Sequence, residues 1–180
     1  MTVLDLLPLS AVTVDRVLAL NTLHAEETSL LDGASLASLI AAAGYATAIG
    51  SNPDAFLIAF DECSQHDNAN LAWFRERHQR FVYVDRVIVA PAARGRGLAR
   101  ALYRNLFARA RADNRFVIGC EINVVPANPG SDALHASLGF AELAQRALGD
   151  GKVIRYMRCD LDHLPGHGTD LAAGSRPGLT

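Results

Sequence analysis

Two arginines and two glycines crowd into Arg94-Gly95-Arg96-Gly97, between a β-branched run and an amphipathic helix. Val82 to Val89 leads in, Pro91 marks a turn, and the helix opens at Leu98-Ala99. Glycines at such a bend let the chain turn freely. The first amides of the helix have no carbonyl partner, and the dipole adds positive charge at the same end. Backbone donors from Arg94 to Ala99 therefore converge on a small volume suited to a phosphorylated ligand. Arg94 and Arg96 add charge-assisted hydrogen bonds.

Two familiar nucleotide loops do not fit. A P-loop ends in Gly-Lys-Ser/Thr, which this stretch lacks, and a dinucleotide fingerprint needs three spaced glycines with a later ribose-binding acid.

The elements that must hold this loop alternate along the chain. Val3 to Leu7 reads as a strand closed by Pro8, and Leu9 to His24 as a helix with Ser10 as N-cap. A helix over Ser35–Ala43 stops at Gly44. Strands Tyr45–Ile49 and Ala55–Phe60 pair around Gly50-Ser51-Asn52-Pro53. Leu71 to His78 fits either a helical turn or an irregular loop carrying an exposed aromatic. The strand Phe81–Val89 follows, then a helix over Gly97–Arg111. Leu98, Ala99, Leu102, Tyr103, Leu106, Phe107 and Ala110 share the apolar side of that helix. After a strand over Phe116–Val124, Asn128-Pro129-Gly130-Ser131 starts a short helix ending at Gly139. Phe140–Ala147 and Lys152–Leu161 close as a hairpin around Gly149-Asp150-Gly151. Residues 1–161 form one domain in this reading, and 162–180 a flexible tail rich in glycine and proline.

Composition sets the outer bounds. The chain has 180 residues and a formal net charge of -2, ordinary for a globular domain and unlike a general polyanion binder. No apolar run reaches bilayer-spanning length and no basic-then-apolar leader opens the chain, so a cytoplasmic protein without a membrane partner is expected. Three cysteines, Cys63, Cys120 and Cys159, lack metal-ligand spacing and read as reduced small hydrophobes. No metal is expected. Arg100, Arg104, Arg109 and Arg111 suggest a nucleic-acid face, but no exposed aromatics interleave them, so no nucleic-acid partner is expected.

Arg94-x-x-Gly97-x-Ala99, preceded by Val87-Ile88-Val89-x-Pro91, resembles the pyrophosphate signature of the GNAT superfamily of acyl-CoA N-acyltransferases. Asn128, Ser131, Leu134, His135, Leu138, Gly139 and Phe140 resemble its later motif, Asn…Leu-Tyr-x-x-x-Gly-Phe. The resemblance covers roughly residues 2–161 and implies an α/β (α+β) GNAT fold. That fold is a mixed, mostly antiparallel sheet of about seven strands, flanked by helices and splayed at its centre.

The resemblance also implies acetyl-CoA as cosubstrate and an amine acceptor. Val87, Ile88 and Val89 would bind the pantetheine arm through their main chain. Arg94, Gly95, Arg96, Gly97, Leu98 and Ala99 would hold the pyrophosphate, with Asn128 and Ser131 beside the arm. Asn128 is equally a good helix N-cap. His135 stands where the family usually has a tyrosine that protonates the departing thiolate, and histidine can donate a proton. Its alternative role is a helix residue paired with Asp132; Tyr103 and Tyr83 are the fallback acids. Asp85 and Glu121 are the candidate bases, Glu121 preferred; Asp85 could instead pair with an arginine. Glu26, Glu27, Asp61, Trp73, Phe74 and Arg75 are candidates for the acceptor pocket. An acetyl-CoA-dependent N-acetyltransferase, acting by direct attack in a ternary complex, is the leading expectation. A catalytically inactive CoA-binding module is the alternative, and a homodimer through the closing strands stays open.

Overall fold

The computed structural model describes residues 2–7, 11–25, 28–149 and 151–164. Seven strands form one sheet in the order β1-β2-β3-β4-β5-β7-β6. They are β1 (Val3–Asp5), β2 (Tyr45–Ile49), β3 (Ala55–Asp61), β4 (Val82–Val89), β5 (Val117–Val125), β6 (Ala141–Ala147) and β7 (Val153–Asp160). Helices α1 (Ala11–Thr22), α2 (Gly33–Ala42), α3 (Ala69–Arg75), α4 (Leu98–Ala112) and α5 (Pro129–Ser137) flank it. This is the mixed, mostly antiparallel architecture that the sequence motifs imply.

Among the described residues, only β4 and β5 run parallel, and they pair at just three positions: Val82 with Ile118, Tyr83 with Gly119 and Val84 with Cys120. Beyond Val84 and Cys120 both strands continue without each other, so the sheet opens in a wedge. On the other side of β4, the register with β3 shifts: Ile58 faces Arg86 while Ala59 faces Val84. Asp85 is thus the extra residue of a β-bulge, a feature that bends a strand and re-aims its side chains. The bulge lies at the apex of the wedge.

Helix α4 packs its apolar side against the sheet. Leu102, Tyr103, Leu106 and Ala110 are buried along the apolar stripe expected from its periodicity, and Arg104 points outward. Their burial under the sheet contributes roughly 1.5–3 kcal/mol for each large side chain.

Several boundaries differ from the sequence expectations. Helix α2 begins at Gly33 because the Asp32 carboxylate accepts the Ser35 amide at 2.7 Å. The ambiguous stretch from Leu71 is the helix α3. Asn68 caps it, accepting the amides of Asn70 and Leu71 at 2.8 and 3.1 Å. Its tryptophan is not a free exposed aromatic: Trp73 stacks on Tyr156 with centroids 4.0 Å apart. Phe74 is fully buried, and it reaches the sheet because residue 119 is glycine; a Cβ there would lie 2.3 Å from the Phe74 ring. After the last strand, Leu161–His163 forms a short turn, and Leu161 donates its amide to Phe116 O at 2.8 Å. Pro8, Ser10, Glu26, Glu27, Asp150 and residues 165–180 lie outside the described residues.

Candidate active site

The wedge opens onto a cavity of about 710 Å³. Val87, Ile88 and Val89 form one wall, and their main chain has no partner strand on the β5 side. Arg94, Gly95 and Gly97 form the floor. Both glycines have φ of 75°, in the left-handed region that glycine tolerates best, and a Cβ on either would meet nothing within 4 Å. The space above them is open.

No side chain caps α4, whose N-cap is Gly97, and the first intrahelical bond runs from Ala101 N–H to Gly97 O at 3.0 Å. The amides of Leu98, Ala99 and Arg100 therefore have no intrahelical acceptor, and all three residues border the cavity. Arg96 is the exception among the loop residues: it does not line the cavity, and its guanidinium binds Asp54 at 3.2 Å. Asn128 and Ser131 form the opposite wall. Asn128 also has its capping role, its Oδ1 accepting the Ser131 amide at 3.1 Å. Thr28 and His24, from the segment after α1, close the rim and carried no motif in the sequence.

A second cavity of about 90 Å³ lies at the apex of the wedge, bordered by Asp85, Glu121, His135 and Tyr103. Thr28, Val87, Asn128 and Ser131 border both cavities. The three residues singled out for catalysis thus meet around one small volume, in different electrostatic settings.

Asp85 is charge-compensated. Its Oδ2 accepts from Arg86 Nε at 2.7 Å, and Asn68 donates to its Oδ1 at 3.2 Å. Both side chains of the ion pair are nearly buried, at 6% and 5% exposure. Arg86 in turn donates to Asn21 Oδ1 and Ser29 Oγ, tying the α1–α2 connection to β4.

Glu121 has no such cation among the described residues. Its Oε2 is buried without a hydrogen bond, as is the nearby Tyr83 Oη. Burial, with the Asp85 charge adding to it, pushes the Glu121 carboxyl up to about 7, against the opposing pull of the polar groups of Tyr83 and Asn70. A carboxyl poised near neutrality can exchange protons readily.

His135 is buried and fully hydrogen-bonded. Its Nδ1 lies 2.7 Å from Ser131 O, a pure acceptor, so Nδ1 carries the proton. Its Nε2, 2.7 Å from Tyr103 Oη, then accepts from the tyrosine when the ring is neutral. Burial pulls its pKa below the usual histidine range, against the Ser131 hydrogen bond and the Asp132 charge. Asp132 itself pairs with Arg155 at 3.0 Å. Burial likewise raises the Tyr103 hydroxyl well above the usual tyrosine value. Tyr103 is core, as its helical position indicates, and borders the small cavity too; no sequence signal joins residues 103 and 135.

The acceptor-pocket expectations fare unevenly. Asp61 pairs with Arg115 at 3.0 Å, Arg75 donates to Ser64 O, and Phe74 is core. Trp73 remains near the site through Tyr156, whose hydroxyl donates to Asn70 Oδ1 at 2.9 Å. Among the described residues, no group of three or more His, Cys, Asp or Glu side chains could hold a metal ion, and no helix is long and apolar enough to cross a membrane.

The family model described as the acetyltransferase (GNAT) family matches residues 39–140, and the chain belongs to that family. None of the curated proteins matches the chain in sequence. The ribosomal-protein-alanine N-acetyltransferase from Brucella melitensis has a similar structure, with 19% identity, 89% of this chain and 100% of that chain covered, and a TM-score of 0.66. So does yncA from Salmonella typhimurium, solved with its cofactor acetyl-CoA, at 21% identity, 91% and 95% coverage and a TM-score of 0.65. Ard1 from Thermoplasma volcanium aligns at 13% identity, 89% and 97% coverage and a TM-score of 0.69. At such identities the likeness establishes the shared fold.

Proposed function

We propose that the protein transfers the acetyl group of acetyl-CoA to a primary amine of a small molecule, peptide or protein, by direct attack within a ternary complex. The observation that carries this reading is the β4–β5 wedge, with a cofactor-sized cavity along it and the buried Glu121 carboxyl at its apex. Family membership and the acetyl-CoA bound in the Salmonella typhimurium structure support the choice of cosubstrate.

In this reading the free main chain of Val87, Ile88 and Val89 aligns the pantetheine arm as an added strand edge would. The amides of the Arg94–Ala99 loop and Arg94 itself take the pyrophosphate, which suits a helix N-terminus. Arg96 contributes through its main chain. Asn128 and Ser131 flank the arm where the two cavities meet. Glu121 serves as the base that removes a proton from the incoming ammonium, because its pKa near 7 leaves it both ionised and basic enough at neutral pH. Asp85, held by Arg86, shapes the field around Glu121 instead of taking the proton.

Calorimetry with CoA, followed by an amine panel monitored for thiol release, tests the proposal. Micromolar-range CoA binding and thiol release with at least one amine are expected. CoA binding without release from any amine would instead identify a CoA-binding module. Absence of CoA binding would overturn the reading altogether.

A further inference from the structure

We infer that the Tyr103 hydroxyl and the His135 imidazole act together as a proton shuttle in the transfer, Tyr103 touching the reacting atoms and His135 acting through it. The inference rests on the acetyl-transfer reading above.

Geometry joins the two groups at the edge of the small cavity. Helices α4 and α5 bring Tyr103 Oη within 2.7 Å of His135 Nε2. Both residues border the small cavity, with Glu121 on its β5 side. The imidazole cannot turn away, since Tyr103 and Phe140 meet it edge-to-face at 5.4 and 5.1 Å and Ser131 O holds its Nδ1–H. With Nδ1 protonated, the neutral ring presents a lone pair to Tyr103 and has no proton to give at its Nε2. It can receive one.

The proton count then closes without another reactant. Glu121 takes the first proton from the ammonium, and the amine nitrogen attacks the thioester carbon, forming the C–N bond. That nitrogen now carries a surplus proton. Tyr103 Oη accepts it while its own proton passes to His135 Nε2, and the imidazolium keeps its Nδ1–H on Ser131 O. The C–S bond breaks with its electron pair going to sulfur. Nε2 then returns its proton to Oη, and the Tyr103 hydroxyl gives its proton to sulfur. One proton has moved from nitrogen to sulfur, Tyr103 and His135 are restored, and Glu121 releases the other proton to solvent.

The surroundings favour a transient imidazolium over a lasting one. Burial disfavours the charged ring, while Asp132 on α5 favours it and is itself held by Arg155 from β7. Burial, with smaller electrostatic contributions from Cys120 and Glu121 on β5 and Cys159 on β7, keeps the Tyr103 hydroxyl protonated. A lasting phenolate or a lasting imidazolium is therefore unfavourable, which suits a relay.

The test compares Tyr103→Phe, His135→Gln and the double variant for kcat, KM for acetyl-CoA and CoA affinity. Glutamine keeps hydrogen-bonding capacity but cannot take up a proton. Each single variant is expected to lower kcat by about 10²-fold, the scale of one acid–base group. KM and CoA affinity should change less than threefold, and the double variant should be no slower than the worse single, as for groups that act as one unit. A His135→Gln variant within twofold of the unaltered kcat, or losses that multiply in the double variant, would overturn the shuttle. If His135→Gln does not fold, the solvent deuterium isotope effect on kcat decides from Tyr103→Phe alone. A multi-proton inventory in the unaltered protein that collapses in Tyr103→Phe supports the relay, and an unchanged inventory overturns it. No thiol release from the unaltered protein overturns the acetyl-transfer reading and the shuttle with it; release that Tyr103→Phe fully retains overturns the shuttle alone.

Discussion

Arg86 Nε donates to Asp85 Oδ2 at 2.7 Å, although the two residues are consecutive in β4. Consecutive residues of a regular strand point to opposite faces of the sheet. The bulge opposite Ile58 and Ala59 removes that constraint and lets both side chains meet under cover. Removing one partner of a buried ion pair leaves the other charge uncompensated. Arg86→Met is therefore expected to destabilise the fold by about 3–5 kcal/mol in urea titrations at neutral pH. Asp85→Asn together with Arg86→Met should recover a large part of that loss; no recovery would show that the ion pair is not the source.

Glu121 connects stability to pH. Its folded pKa of about 7 lies above the ordinary 4.5, so the folded state holds the proton more tightly than the unfolded chain. The stability this confers is fully present below pH 4.5 and is lost as pH rises through about 7. Glu121→Gln, which cannot ionise, is expected to be more stable than the unaltered protein at pH 8 by on the order of 3 kcal/mol. The gain should vanish near pH 4.5. Thermal unfolding across that range checks it, and a gain that did not depend on pH would contradict the assignment.

Catalysis should pull the other way at the same residue. As a base, Glu121 must be ionised, so kcat should rise as pH climbs through about 7. Glu121→Gln should lose roughly 10²–10⁴-fold in kcat with CoA affinity little changed. A pH profile whose lower limb persists in Glu121→Gln would assign that limb elsewhere.

The turn before α4 makes a prediction about cofactor binding. Gly97 sits at φ 75°, where a Cβ brings strain of about 1–2 kcal/mol. Gly97→Ala should lower stability by that order and weaken CoA binding, because relief of the strain swings the α4 amides off the pyrophosphate. Arg94→Ala should weaken CoA binding without touching stability, and its effect should shrink in high salt. Calorimetry at two ionic strengths separates the two variants.

Gly119 tests the packing under the site. A methyl group there would collide with Phe74, so Gly119→Ala should cost about 1–3 kcal/mol, as overpacked cores do. Since α3 also carries Trp73 against Tyr156, near-ultraviolet circular dichroism should report its displacement.

The loop proposed to hold the cofactor was legible in the chain. A glycine-rich turn between an apolar strand and an amphipathic helix is a local arrangement, and local backbone preferences decide where its amides go. Helix α4 and its buried stripe followed from spacing alone. Helix α3 stayed ambiguous because its seven residues carry too few turns for a periodicity, and its cap, Asn68, lies in a polar stretch that reads as loop. The residues proposed for catalysis were legible only as residue types. Whether Asp85 or Glu121 is free depends on which one meets a guanidinium, and that is decided by a bulge that no local pattern announces.

By itself, then, the sequence determined the glycine-rich turn before α4, the strands and longer helices around it and the two motifs that mark the acetyltransferase family, because each is written in neighbouring residues. The tertiary structure decided the chemistry at the apex of the wedge. It paired Asp85 with Arg86, left Glu121 buried without a cation, and set Tyr103 against His135 across 32 residues of chain. Those outcomes depend on distance, burial and partner, which exist only once the strands have parted.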